Sequence, residues 1–147
     1  MRARSLPIFA AVLIAAATGT AQATDSFMVI VNSSVTGTNV HRADLAAVFL
    51  KKAPRWGDGT EAHPVDQSGT SPVRKGFSES VLHMPVMAVV QYWGRQLVSV
   101  ASSARPPTVK ASDDEVLLYV SKTSGAVGYV GPGTALPPGV KAVAIVD

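Results

Sequence analysis

Short apolar runs alternate with helix-like stripes along most of the chain. Residues 27–31 are a continuous apolar run rich in β-branched side chains, which is typical of a strand buried on both faces of a sheet. Further strands are predicted over residues 62–66, 126–130 and 140–146, where apolar runs are bounded by glycine, proline and polar residues.

Four helices are predicted between these strands, over residues 41–50, 72–81, 85–97 and 112–122. The third has an apolar stripe made of Val86, Val89, Val90, Trp93 and Leu97. Ser112 with Glu115 forms a capping box for the fourth helix, and Gly125 follows its end. Residues 32–39 and 99–108 are predicted to be loops. Interleaved strands and helices predict an α/β fold, with a mixed β-sheet covered by helices on both faces.

The amino-terminal segment has the pattern of a secretory signal peptide. Arg2 and Arg4 precede an apolar stretch over residues 6–17, and Ala21 and Ala23 form a small-x-small cleavage pattern. We therefore expect cleavage after Ala23, a periplasmic protein, and no membrane insertion of the remaining chain. The alternative is an uncleaved membrane anchor, although a spanning helix needs roughly 20 apolar residues.

Composition narrows the chemistry of the predicted domain, residues 24–147. The chain has no cysteine and three scattered histidines, so we expect no disulfide, thiol nucleophile, metal site or cofactor. The formal net charge of +3 falls to +1 once Arg2 and Arg4 are removed. A nearly neutral domain without an aromatic and basic stripe is not expected to bind nucleic acid.

The strongest chemical signal is a run of small residues at the start of the second helix: Ser68, Gly69, Thr70 and Ser71. The first N–H groups of a helix lack intrahelical partners, and the helix dipole is positive there, so such a run can bind an oxyanion. Arg74 lies in the same first turn and would add positive charge. The competing interpretation is that Ser71 only caps the helix, while Arg74 and Lys75 extend into water.

A second hydroxyl-rich loop follows the first predicted strand, at Ser33 and Ser34. Because α/β proteins bind ligands at the carboxyl ends of their strands, we expect this loop to form the other wall of the site.

Several segments, in this order, resemble the phosphate-type periplasmic substrate-binding proteins of ABC importers: VIVN at 29–32, DLAAVFL at 44–50, WGDG at 56–59, VDQSGT at 65–70 and GAVGYV at 125–130. The resemblance covers nearly all of residues 24–147 and is closest to the short, single-lobe members. It implies a single three-layer αβα lobe of a type II periplasmic binding protein. It also implies non-catalytic binding of inorganic phosphate or a similar oxyanion.

The resemblance extends to the hydroxyl run itself. Relatives carry an Arg-x-Asp-Gly-Ser-Gly-Thr segment whose last three residues bind phosphate, and Ser68, Gly69 and Thr70 match them. Pro64 stands in place of the arginine and Gln67 in place of the first glycine. Relatives close two lobes around phosphate, whereas this chain has residues for one, so weak binding is expected. A second copy, or a membrane partner such as an ABC permease or a receptor, would supply the missing wall.

Two other functions are considered. A periplasmic protein-interaction or sensory module that has lost ligand uptake is the main alternative, and Pro64 favours it. Catalysis is not expected: Ser68 has His63 and Asp66 nearby in the sequence, but Ser-Gly-Thr is not a nucleophile-elbow pattern.

Overall fold

The computed structural model describes residues 26–147, and the predicted signal peptide, residues 1–23, lies outside them. The strands are β1 (Met28–Asn32), β2 (Asn39–His41), β3 (His63–Gln67), β4 (Thr108–Lys110), β5 (Ala126–Val130), β6 (Val140–Ala142) and β7 (Ala144–Val146). The helices are α1 (Arg42–Phe49), α2 (Pro72–Phe77), α3 (Val86–Val98) and α4 (Asp113–Lys122). A π-helical turn, Ser78–Leu82, follows α2 directly.

Five strands form the main sheet in the order β4-β3-β5-β1-β6. Strand β3 is parallel to β4 and β5, whereas β1 is antiparallel to both of its neighbours, β5 and β6. The sheet is therefore mixed, as predicted. Strands β2 and β7 form a separate two-stranded parallel sheet.

The main sheet has a hydrophobic cluster on each face. Val29 and Val31 of β1 belong to one cluster, which includes buried side chains of α1 and α2, and Ile30 belongs to the other, which includes α4. This alternation follows from the two-residue period of a strand. Helices thus cover both faces, which confirms the predicted three-layer αβα arrangement.

Gly128, in the middle of β5, lets α4 lie close to the sheet. A Cβ atom at this position would lie 2.7 Å from Val65 Cγ1 and 2.8 Å from Val116 Cγ1. Any side chain here would push the helix away from the strand, so the close packing of α4 depends on glycine.

Two strands lie in segments that were predicted to be loops. Strand β2 ends the predicted loop after β1, and β4 begins where the predicted loop 99–108 ends. Each has only three residues, so no alternating pattern can mark it locally. Their existence depends on pairing with β7 and β3, which lie far away in the sequence.

The last predicted strand, residues 140–146, is divided between the two sheets. Strand β6 pairs with β1, and β7 pairs with β2. Val143 separates them, and its N–H donates to the carbonyl oxygen of Val29 at 3.0 Å. The two halves of the run pair with different strands, which a continuous apolar run does not reveal.

The predicted stripe of α3 is only partly covered. Val89 and Trp93 are buried, while Val90 and Leu97 keep 54% and 53% of their surface exposed. Among residues 26–147, no helix combines the length and apolar character that crossing a bilayer requires.

Candidate anion-binding site

The Ser-Gly-Thr loop (Ser68, Gly69 and Thr70) connects β3 to α2. The Ser68 N–H donates to the carbonyl oxygen of Lys110 at 3.0 Å, and the Ser71 N–H donates to the carbonyl oxygen of Ser68 at 2.9 Å. The hydroxyl oxygens of Ser68 and Thr70 lie 3.2 Å apart. The loop is therefore a hydrogen-bonded turn with two adjacent hydroxyl groups at the protein surface.

Several donors of this turn have no acceptor within the described chain. The backbone N–H groups of Gly69, Thr70 and Val73 make no hydrogen bond to residues 26–147. Pro72, at the first position of α2, has no N–H to contribute. Three N–H groups and two hydroxyls at one turn can together coordinate the oxygens of an anion.

Ser71 caps α2 and is occupied within the protein. Its hydroxyl oxygen accepts a hydrogen bond from the Arg74 N–H at 3.3 Å, and the hydroxyl donates to Gln67 Oε1 at 2.8 Å. The capping role predicted for Ser71 is therefore confirmed.

The Gln67 side chain fixes the loop against the rest of the sheet. Its Nε2 donates to Asp113 Oδ1 at 2.7 Å and to the carbonyl oxygen of Tyr129 at 2.8 Å. Through Ser71, it also connects the start of α2 to the first turn of α4. This amide keeps the carboxyl end of β3 in register with the two helix starts.

Arg74 is buried and paired. Its Nη1 lies 2.7 Å from Asp66 Oδ2 and donates to the carbonyl oxygen of Gln67 at 2.7 Å. The interpretation in which Arg74 extends into water is thus wrong, because its guanidinium has a buried carboxylate as partner. Lys75, its neighbour on the same helix, is exposed as that interpretation expected.

Tyr129 completes a buried polar network around Asp66. Its hydroxyl donates to Asp66 Oδ1, and the Gln67 N–H reaches both Asp66 Oδ1 at 2.9 Å and the Tyr129 hydroxyl oxygen at 3.1 Å. Burial raises the pKa of Asp66, while the charge of Arg74 and the Tyr129 hydrogen bond oppose that rise. Burial and the nearby Asp66 charge also raise the pKa of Tyr129. The network compensates the charge of Arg74 and stiffens the strand end that carries the loop.

Ser33 and Ser34 lie at the other end of the sheet. Strand β1 is antiparallel to β5, with Met28 beside Val130 and Val31 beside Val127, whereas β3 is parallel to β5. The carboxyl ends of β1 and β3 therefore point in opposite directions. The Ser34 hydroxyl oxygen instead accepts from the Gly125 N–H at 3.0 Å. The expectation that these serines form the other wall of the site is wrong.

An apolar groove of about 440 Å³ begins beside the Ser-Gly-Thr loop and runs between α3 and β4. Asp66, Gln67, Gly69 and Arg74 line its polar end. Its apolar part is lined mainly by Val90, Trp93, Leu97, Pro107 and Val109. Within the described chain, no three His, Asp or Glu side chains are grouped so that they could hold a metal ion.

Sequence reasoning missed the groove and the partners of Asp66. One usable signal existed: Asp66 and Gln67 are polar residues at the end of a strand that is otherwise buried. Buried polar side chains require partners, so a network around them could have been anticipated, although not its members. The Val73 N–H carries no sequence signal, because its availability depends only on its place in the helix.

Comparison with known proteins identifies the fold. No family model and no curated protein matches the sequence. Solved structures do match, and three of them are compared below. The first is an ABC-type phosphate transport receptor from Vibrio cholerae, with 21% identity, a TM-score of 0.62, and coverage of 82% of this chain and 46% of that chain. The second is PstS from Borrelia burgdorferi, with 17% identity, a TM-score of 0.61, and coverage of 82% and 47%.

The third is from Clostridium perfringens, assigned as a phosphate ABC transporter substrate-binding protein and solved with bound phosphate. It has 15% identity, a TM-score of 0.62, and coverage of 82% of this chain and 45% of that chain. At such identities the likeness concerns the fold. Residues 26–147 therefore have the periplasmic-binding-protein-like fold of phosphate-transport substrate-binding proteins, and the chain spans less than half the length of the three structures compared.

Proposed function

We propose that this protein is a non-catalytic substrate-binding lobe that binds phosphate or a similar oxyanion weakly at the Ser-Gly-Thr loop. The observation that carries the proposal is the set of donors at this turn: three N–H groups without acceptors, and two adjacent hydroxyls of which one donates to the other. The fold shared with phosphate-transport proteins supports the same ligand class.

In this proposal, Ser68, Gly69 and Thr70 contact the anion. The two hydroxyls and the N–H groups of the loop donate to its oxygens, and glycine allows close approach of the backbone. Ser71 and Arg74 act as positioning residues, because the hydroxyl of Ser71 and Nη1 of Arg74 already have protein partners.

The affinity should be low. The donors at the loop are neutral, Gly69 and Thr70 are exposed, and the Arg74 charge is compensated by Asp66. A one-sided site leaves the anion partly hydrated, so its hydrogen bonds compete with those of water. We expect a dissociation constant on the order of 1 mM, which corresponds to a binding free energy of about −4 kcal/mol.

The test is an NMR chemical-shift titration of the purified protein with phosphate and with sulfate. The double variant Ser68→Ala with Thr70→Ala should weaken binding at least several-fold. Ser33→Ala is the matched control, since it removes an exposed serine hydroxyl at the opposite end of the sheet and should change nothing. Absence of binding, or equal binding by the double variant, would contradict the proposal and favour an interaction or sensory module.

The proposal also includes the compartment in which the protein acts and the partner that covers its loop. Export to the periplasm with cleavage after Ala23 would expose the loop to solutes, and an ABC permease, a receptor or a second copy would cover it. Amino-terminal sequencing of the protein from a periplasmic fraction tests the cleavage. Light scattering over a range of concentrations tests the second copy, and a monomer throughout would exclude self-association as the source of the missing wall.

A further inference from the structure

The apolar groove is continuous with the Ser-Gly-Thr loop. Gly69 belongs to the loop and also lines the groove. Val90, Trp93 and Leu97 follow one another at spacings of three and four residues, so they lie on one face of α3 and form one wall. An anion held at the loop would therefore lie at the mouth of an apolar channel.

The groove leaves apolar side chains without cover. Val90, Leu97 and Val109 keep 54%, 53% and 56% of their surface exposed, whereas Trp93 between them is only 7% exposed. Contiguous apolar surface of this kind often marks a binding groove. Its volume of about 440 Å³ lies within the range of small-molecule sites, ~300–1,000 Å³.

Arg74 and Asp66 form an ion pair at the polar end of the groove. The Arg74 side chain lines the groove, and its hydrogen bonds to residues 26–147 all involve Nη1. The side chain is buried, with 9% of it exposed, and its charge is compensated by Asp66, which lines the same end of the groove. Hydrogen-bond donors for an anionic group at this end therefore come from the adjacent Ser-Gly-Thr loop.

We infer that the ligand is an oxyanion that carries an apolar group, such as an aryl or alkyl phosphate or phosphonate. This inference rests on the proposed function: the anionic head binds at the Ser-Gly-Thr loop, which Arg74 positions, and the apolar group lies against Trp93 and Leu97. Inorganic phosphate alone would occupy the loop and leave the groove unfilled. The hydrogen-bond donors at one end and the apolar lining along the rest select an amphiphilic small molecule.

Phenyl phosphate, inorganic phosphate and phenol are the probes, each titrated into the purified protein and followed by NMR. Phenyl phosphate should bind roughly tenfold more tightly than inorganic phosphate, because its ring removes apolar surface from water. Phenol, which has the ring without the phosphate, should bind more weakly than phenyl phosphate.

Variants test whether the phenyl ring of phenyl phosphate lies in the apolar groove. Leu97→Ser should weaken phenyl phosphate several-fold and leave inorganic phosphate unchanged. Leu118→Ser is the matched control, since Leu118 is 55% exposed on α4, on the opposite face of the sheet, and should change neither affinity. Ser68→Ala with Thr70→Ala should weaken both anions, which links the two parts of the site.

The outcomes separate this inference from the proposed function. If both anions bind equally, or Leu97→Ser acts no more strongly than Leu118→Ser, the inference fails and oxyanion binding stands. If phenol binds as tightly as phenyl phosphate, the groove binds apolar groups without an anionic head and the inference fails. If neither anion binds, both fail. Binding of phenyl phosphate alone, lost in both kinds of variant, supports the inference and restricts the proposed function to organic oxyanions.

Discussion

Arg74 and Asp66 form a buried ion pair, with Nη1 of the arginine 2.7 Å from Oδ2 of the aspartate and 9% of each side chain exposed. The arginine belongs to α2 and the aspartate to β3, so the pair joins the two elements on either side of the Ser-Gly-Thr loop. The ion pair thereby holds the turn in place from both sides.

Replacing Arg74 by methionine should destabilise the protein by about 3 kcal/mol at pH 7, because it leaves a buried carboxylate without its cation. The effect should shrink toward pH 4. Burial raises the pKa of Asp66 in the folded protein above its ordinary value of 3.8. The fold therefore favours the protonated carboxyl group. The stability that this group contributes is complete below its ordinary pKa and is lost as the pH rises through the folded-state pKa. Without Arg74, the folded-state pKa of Asp66 rises further, so this stability is lost over a wider range of pH.

Urea denaturation of wild type and Arg74→Met at pH 4 and pH 7 measures this difference. Lys75→Met is the control, since the neighbouring lysine is exposed and its loss should cost under about 0.5 kcal/mol at both pH values. A cost for Arg74→Met that is the same at pH 4 and pH 7 would show that the ion pair does not govern the effect.

Tyr129→Phe should cost about 1–2 kcal/mol, because it removes a hydrogen bond to the buried Asp66 carboxylate. The phenyl ring would remain stacked on Phe77, whose centroid lies 4.1 Å away, so packing is preserved. The same change should raise the pKa of Asp66 further, which NMR titration of its carboxyl carbon can follow. Tyr119→Phe serves for comparison, since the Tyr119 hydroxyl makes no hydrogen bond to residues 26–147 and its loss should be nearly neutral.

Gly128→Ala should destabilise the protein by about 1–3 kcal/mol, because the added methyl group would overlap Val65 and Val116 in a packed interface. Gly94→Ala is the opposite case. A Cβ at Gly94 meets no atom within 4 Å, and alanine inside helix α3 should stabilise it by about 0.5–1 kcal/mol. Thermal denaturation of the two variants should therefore give shifts of opposite sign, and equal shifts would contradict the close approach of α4 to β5.

Gly69→Ala should separate binding from stability. The nearest atom to its Cβ would be Val86 Cγ1 at 3.8 Å, an ordinary contact, and its φ lies outside the left-handed region. Stability should change by less than about 0.5 kcal/mol. Affinity for phosphate should fall roughly fivefold, as expected if the methyl group costs one hydrogen bond of the loop. Unchanged phosphate affinity, measured by NMR titration, would remove Gly69 from the site.

The sequence predicted those parts of the fold whose signal is local. The helix capped by Ser112 begins where expected, with the hydroxyl oxygen of Ser112 accepting from the Glu115 N–H, and Gly125 follows its end with a φ of 76°. The short strands β2 and β4 escaped prediction, because three residues carry no period and their partners are distant.

The candidate site also has some residues whose role follows from local sequence and others whose role depends on the whole fold. Ser71 was recognised as a cap because a cap is defined by its immediate neighbours. Ser33 and Ser34 were assigned to the wrong end of the sheet, because the direction of β1 relative to β3 is decided by the whole topology. The partner of Arg74 was missed for a related reason: burial of a side chain is a property of the packed structure.

The central position of β1 has a consequence for how the protein folds. Although β1 is the first strand of the described chain, both of its neighbours in the sheet, β5 and β6, come about 100 positions later. Closing loops of that length is slow compared with forming local contacts, since their entropy is lost before any pairing is gained. During synthesis β1 must therefore wait, with both edges unpaired, until the last third of the chain has emerged. Folding of this domain is then a late and concerted event, in which the final strands complete the sheet around the first.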